Sequence, residues 1–571
     1  VKKILEYLKE YRKESVLAPL FKMLEASFEL LIPLIVAAMI DRGIGRRESS
    51  FLARMSLLLV LLAVIGLVFS ITAQYFASKA AVGTASAMRY HLFQHIQTFS
   101  YTELDVLGAS TLITRLTSDI NQIQNGINLV LRLFLRSPFI VFGAMIMAFT
   151  IDVKSALIFA ITIPLLSVVV FGVMLITKPL YKKVQSSLDQ ILRITRENLT
   201  GVRVIRAFHN EEQELRHFRE ANESLTSVQK VAGRYSGLMN PLTYIIINAA
   251  IIVLIWIGAV RVDNGILTQG QVVALYNYMS QILVELIKLA NLIVSITKAL
   301  ACANRVSAVF EIKSSMQDGR ITKAAEDEYA VEFRKVSLKY KDAGEEALTE
   351  LSFRVKKGET IGIIGGTGSG KTSLVNLIPR FYDATEGEVL IYGVNVKEYA
   401  KDTLKHIVSV VPQKAQLFAG SIRDNLLLGK QASEEELEKA LRISQAMEFV
   451  QSKENGMDAP VDQEGKNLSG GQKQRLTIAR ALVKGADILI LDDSASALDF
   501  ATDAKLRKAI RELEPQPTVF IVSQRASSIF YADQIIAMDN GRIAGIGRHE
   551  ELLANCEIYR EIYYSQFEKE A

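Results

Sequence analysis

The chain has 571 residues, of which 50% are hydrophobic and 22% charged, with mean hydropathy +0.21. Collagen-like and disordered classes are excluded by that balance, and disulfide scaffolds by a cysteine count of two, Cys302 and Cys556. Charge is unevenly divided. Residues 1–310 carry 31 Lys and Arg against 20 Asp and Glu, while the remainder carries 35 against 41. A basic apolar half followed by an acidic ordinary one reads as a membrane domain joined to a soluble domain.

In chain order, residues 1–14 mix apolar and charged positions and lack the apolar core of a cleavable signal. Ile4, Leu5, Leu8 and Tyr11 share a face, with Lys2, Lys9, Arg12 and Lys13 elsewhere, which predicts an interfacial helix, a frayed polar tail being the alternative. Six stretches near 16–40, 55–76, 129–151, 156–176, 241–260 and 271–300 then meet the length and apolarity of membrane-spanning helices. They lack the ten-residue alternation of a closed barrel. Their connections run 14, 52, 4, 64 and 10 residues, so both long ones lie on the side of the termini. Apolar residues such as Ile191, Ile194 and Leu199 continue at helical spacing into the second long connection. The helices are therefore expected to run on into water and turn at tips near 108–117 and 207–212.

Charge inside a span is expensive and demands an account. Lys22, Glu25 and Glu29 share one face of the first span, and Glu285 and Lys288 lie three apart in the sixth. They either line a wet cavity that favours amphipathic cations or pair among the helices. Arg132 and Arg136 are expected to snorkel to the inner boundary. Lys and Arg number 19 on the long connections and N-terminus against 6 on the short ones, but the former are also much longer. Orientation is therefore read from the soluble half.

A polar stretch at 311–328 joins the halves, giving expected domains at 1–310 and 329–571. From Val331 and Phe333 onward, strand-like and helix-like runs interleave, as an α/β core requires. The run Gly365, Gly366, Thr367, Gly368, Ser369, Gly370, Lys371 and Thr372 follows a predicted strand at 360–364 and opens a predicted helix. Glycines there let backbone N–H groups wrap phosphate oxygens, Lys371 reaches the terminal phosphates, and Thr372 can ligate Mg²⁺. Asp492 ends an apolar strand at 488–492 and is the expected partner of that ion. Tyr340 is a candidate for stacking on adenine, with ordinary packing as its alternative.

Leu468, Ser469, Gly470, Gly471 and Gln472 make the chain resemble the ATP-binding cassette (ABC) family. Order strengthens the resemblance: the Walker A loop at 365, Gln413 in Val-Pro-Gln, the signature at 468, Walker B at 488, and Ser496 to Asp499 as the D-loop. With six spans and two long cytoplasmic connections, the whole chain looks like a type IV ABC exporter half-transporter. The implied fold is a polytopic α-helical membrane domain followed by an α/β P-loop nucleotide-binding domain. The family pairs two such halves around two ATP molecules, each held by Walker A of one chain and the signature of the other. Thr372, Gln413 and Asp492 would then surround Mg²⁺. The tips of the long connections would lie near the Gln413 loop.

Two positions depart from the family pattern. Asp493 stands where a Glu polarises the attacking water, and Gln524 stands where a His contacts the γ-phosphate. Drawing a carboxylate back by about 1 Å costs roughly 10²-fold in rate, and an amide cannot carry an imidazole's proton. The combination resembles the degenerate-site half of bacterial heterodimeric multidrug exporters. It implies a partner half with intact Glu and His, a lipid bilayer, a small amphipathic cargo, and location in a bacterial inner membrane with the cassette in the cytoplasm. Alternatives are a lipid or peptide translocator of the same fold, or a homodimer that tolerates the substitutions. Six spans exclude a nucleic-acid ATPase.

Overall fold

The computed structural model describes residues 6–494 and 496–567, which divide into two compact units. One holds the described residues up to Gln97 together with Ser110–Ile312. The other holds Thr98–Ala109 together with the described residues from Lys313 onward.

The first unit is built from six helical bodies long and apolar enough to cross a membrane: Glu6–Ile44, Ser49–Ile96, Ala109–Ile151, Val153–Thr200, Glu211–Asp263 and Gln269–Glu311. At 39 to 53 residues, each exceeds the roughly 20 that a bilayer needs, in line with the expected extension into water. Small residues let the helices approach. A Cβ on Gly126 would fall 2.3 Å from Ala299 Cβ, so the third and sixth helices touch backbone to side chain there. Around Ala26, Ala144 and Ala148, larger side chains such as Phe159, Leu254 and Tyr278 fill the core. Trp256, the chain's single tryptophan, is 74% exposed on the fifth helix.

Of the expected interfacial helix, residues 1–5 lie outside the described residues. The remainder turns its rings inward. Tyr7 stacks on His91 with centroids 5.5 Å apart, and the Tyr11 ring occupies the place a Cβ on Gly83 would need. The opening turns thus pack on the second helix.

Most of the charges singled out in the spans are paired, Arg132 being the exception, with only Asn128 Oδ1 at 3.5 Å among the described residues. Arg136 donates from one guanidinium nitrogen to Glu29 at 2.6 Å and from another to Glu285 at 2.8 Å. Glu285 also accepts from Ser137 at 2.8 Å and Lys288 at 2.9 Å, while Lys22 donates to Glu25 at 2.8 Å. Arg136 is 7% exposed, so it does not snorkel as the sequence suggests. The reason is geometric: its planar fork meets two carboxylates at once, from the first and sixth helices. Removing one member of a buried pair typically costs about 3–5 kcal/mol. Arg136→Met is therefore expected to lower the thermal midpoint of the solubilised protein by several degrees, with Lys as a partial replacement.

In the second unit, a six-stranded sheet carries the strands Val408–Val411, Ile488–Asp492, Thr518–Val522, Thr360–Gly365 and Gln534–Asp539 in parallel, with Arg542–Gly547 antiparallel at one edge. Their Val- and Ile-rich runs are buried because helices cover one face, and helices together with a second sheet cover the other. A four-stranded antiparallel sheet begins with Tyr329–Leu338. Between these parts, Phe333, Leu374, Ile490 and Phe520 share one core.

The helix Tyr101–Leu107 also belongs to this second unit. It starts at a capping box in which Glu103 accepts from Ser100 N at 2.9 Å, and the same carboxylate accepts from Ser315 N at 3.1 Å. It ends at Gly108, whose φ of +72° suits glycine. Ala109 begins the next helix, within the expected tip at 108–117. The short helix Val202–Ala207 leads into the expected tip at 207–212, with a turn at His209.

Candidate functional site

Parallel strands gather loop residues at their carboxyl ends, where open α/β sheets bind ligands. Here Thr360–Gly365 delivers the glycine loop, Ile488–Asp492 delivers Asp492 and Asp493, Thr518–Val522 leads to Gln524, and Val408–Val411 leads to Gln413. Asp492 pairs in register with Val522, which fixes Walker B beside the segment bearing Gln524.

The loop needs its glycines at two places in particular. Gly370 has φ +93°, and a Cβ there would lie 2.8 Å from Ala347 O; a Cβ on Gly365 would lie 2.3 Å from Met538 O. Lys371, 9% exposed, folds back over the loop. Its ammonium donates to Gly365 O at 2.8 Å, Gly366 O at 2.7 Å and Ser369 Oγ at 3.3 Å. Among the described residues no carboxylate closes an ion pair with it, and burial lowers its pKa. A buried cation held by neutral oxygens is ready for an anion.

Thr372 Oγ1 donates to Asp492 Oδ1 at 3.1 Å. A hydroxyl and a carboxylate side by side form an oxygen donor set suited to Mg²⁺ beside phosphate. Burial raises the Asp492 carboxyl, against the opposing Thr372 hydrogen bond. Asp493 sits in the left-handed region at φ +46° and accepts from Gln413 Nε2 at 3.3 Å. Burial raises its carboxyl too, opposed by the Gln413 hydrogen bond and the Lys371 charge.

Thr367, Gly368, Gly370, Lys371 and Thr372 line a cleft of about 400 Å³, and Gln413, Asp492, Asp493 and Gln524 line its other side. A larger hollow of about 570 Å³ lies at the opposite ends of the strands, beside Asp487 and Thr518, and gathers no motif residue.

The remaining predicted residues stand outside this cleft. Tyr340 is half-buried beside it, donating to Ser373 Oγ at 2.9 Å and meeting Tyr382 edge-on at 5.1 Å. Leu468 is buried, and Ser469 caps the helix Gly470–Val483 in a reciprocal capping box with Gln472. Gly470 and Gly471 form the first turn of that helix, and none of the five signature residues lines the Walker cleft. Ser496 Oγ donates to Asp493 O at 2.8 Å, while Asp499 caps the helix Phe500–Arg511.

Sequence reasoning missed several neighbours. Asn540 lines the cleft from a turn between two strands, and its Asn-Gly dipeptide was a legible hairpin signal. Gln566 was not legible. Its side chain accepts from Ala526 N at 2.9 Å and donates to Gln524 O at 2.7 Å, bracing the loop that carries Gln524.

Residues 15–286 match the family described as ABC transporter transmembrane region, and residues 348–496 the family described as ABC transporter. The chain is 34% identical over 572 residues to the uncharacterized ABC transporter ATP-binding protein YfiB of Bacillus subtilis, covering 100% of this chain and 99% of that one. It is 31% identical over 579 residues to the putative multidrug export ATP-binding/permease protein YgaD of the same species, covering 99% of each. It is 32% identical over 480 residues to the ATP-dependent lipid A-core flippase of Desulfotalea psychrophila, covering 84% of each. A solved bacterial Atm1-family ABC exporter with ATP bound shares the fold, with TM-score 0.80 at 23% identity over 98% of this chain and 99% of that one. Matched in both its halves, the chain belongs to the ABC transporter family, as a multi-pass membrane protein with the fold of a type IV exporter half-transporter.

Proposed function

We propose that this chain is the degenerate-site half of a heterodimeric exporter, binding MgATP firmly at its own Walker loop and leaving rapid hydrolysis to the site it completes on a partner. One observation carries the reading: Asp493 and Gln524 line the same cleft as an intact Lys371, Thr372 and Asp492. The groups that bind a triphosphate are present, and the two that differ serve the same bond-breaking step.

In this reading the 365–372 backbone and Lys371 hold the phosphates, and Tyr340 stacks on the base. Thr372, Asp492 and Gln413 hold Mg²⁺, which neutralises phosphate charge when bound. The attacking water must lose its proton to a base within hydrogen-bond reach. Asp493 is one methylene short of the family's Glu, and its carboxylate is engaged by Gln413. Ser469 and Gly471 close over the partner's ATP, and Ser496 and Asp499 shape the D-loop between the sites.

The cargo is hydrophobic or amphipathic, moved outward across a bacterial cytoplasmic membrane with the cassette in the cytoplasm. The name of the YgaD relative supports drug-like compounds. The name of the Desulfotalea relative supports a second reading, translocation of lipid. Co-expression with a half-transporter carrying Glu and His tests the pairing. Co-purification with a large gain in ATPase is expected, and brisk turnover by this chain alone as a homodimer would overturn it.

A further inference from the structure

Within the second unit, the base side of the site is wired to the helix Tyr101–Leu107 by direct contacts. Tyr340 donates to Ser373 Oγ at 2.9 Å, next to Thr372, and its ring meets Tyr382 edge-on at 5.1 Å with an interplanar angle of 90°. Tyr382 donates its hydroxyl to Asp105 Oδ2 at 2.6 Å, a short charge-assisted bond. One residue earlier, Phe381 packs on Tyr101 with centroids 4.6 Å apart.

Tyr382 has little freedom to ignore its neighbours. It sits in a turn where Arg380, 8% exposed at φ +56°, grips Asp383 at 2.8 Å and Lys397 O at 3.1 Å. The far side is equally fixed, because Glu103 is tied to Ser100 and Ser315. Burial works to raise the Glu103 carboxyl, but these hydrogen bonds outweigh it and hold the group below the usual carboxylate range. In sequence, the helix lies between the long apolar helices Ser49–Ile96 and Ala109–Ile151, a few residues from each.

We propose that Tyr382 is a positioning residue through which occupancy of the nucleotide's base at Tyr340 is passed to Asp105 and the 98–109 segment, so that this tip reads the base side of the site. The route is separate from the Gln413 loop, which lies on the phosphate side of the cleft with Asp493. It rests on the reading that Tyr340 stacks on adenine. A base fixing the Tyr340 ring removes rocking at the edge contact, and Tyr382 then holds its bond to Asp105 for a larger fraction of time.

The test is amide hydrogen exchange across 98–109 in the full-length reconstituted protein, with MgATP or with magnesium tripolyphosphate, which has no base. In the unaltered chain, MgATP is expected to slow exchange there and tripolyphosphate is not. Tyr382→Phe keeps the ring but loses the hydroxyl, so the slowing should shrink about tenfold while ATP is still bound. Asp105→Ala should behave likewise, and Asp105→Asn, which retains an accepting oxygen, should restore much of the effect. Equal slowing by tripolyphosphate, or full slowing in Tyr382→Phe, overturns the relay. Loss of ATP binding in Tyr382→Phe also overturns it, by making the residue part of the pocket. If the unaltered chain binds neither compound, the nucleotide reading itself has failed.

Discussion

Purified without a partner, this chain is expected to hydrolyse MgATP roughly 10²-fold more slowly than its Asp493→Glu, Gln524→His double variant. The argument is one of reach. A general base works within about 2.6–3.2 Å of the proton it takes, and the Asp493 carboxylate starts one methylene further back. Its backbone is held at φ +46° and its oxygen by Gln413, so rotation alone does not recover the distance. Glu at this position supplies the missing length, and His at 524 supplies a group able to carry charge next to the γ-phosphate. Of the single variants, Asp493→Glu should recover more, because Gln524 can still donate a hydrogen bond to phosphate. Steady-state phosphate release, measured on material free of other ATPases, decides the matter. Rapid turnover by the unaltered chain would refute the division of labour, as would a double variant no faster than its parent.

Lys371→Ala should weaken MgATP binding by about one to two decades, measured by calorimetric titration. A hydrogen bond between charged partners contributes about 1.5–3 kcal/mol, and every 1.4 kcal/mol is about tenfold in Kd. Burial is what makes the loss large. Lys371 is 9% exposed and its ammonium rests on loop carbonyls, so an arriving phosphate meets a cation already largely stripped of water. Arginine is not expected to rescue the site, since its broad planar fork does not fit where a compact ammonium sits on Gly365 and Gly366. Affinity unchanged by Lys371→Ala would mean that the cleft does not hold the triphosphate.

Local chemistry was legible and long-range pairing was not. The glycine loop is eight consecutive residues whose backbone demands are written in their own identities, and the spans show in uninterrupted apolar length. The strand ending at Asp492 was equally plain, since a buried parallel strand is a short apolar run. Arg136 was misread because its partners lie 107 and 149 residues away, at Glu29 and Glu285. No spacing rule connects residues so distant, and a lone arginine near a boundary defaults to snorkelling. The short helix Tyr101–Leu107 was passed over for a different reason: seven residues are too few to show a helical period, although Ser100 and Glu103 spell its capping box. Tyr340 shows a third kind of limit: its position before the loop was readable, but its edge contact with Tyr382 depends on a turn shaped by Arg380.

The single tryptophan gives the membrane half a spectroscopic handle. With Trp256 alone contributing indole emission, signal from the fifth helix needs no subtraction of other tryptophans. Its outward-facing ring should be quenched by brominated acyl chains in proteoliposomes. Addition of a tryptophan-free companion chain would reveal, by relief of that quenching, whether this flank becomes covered on assembly.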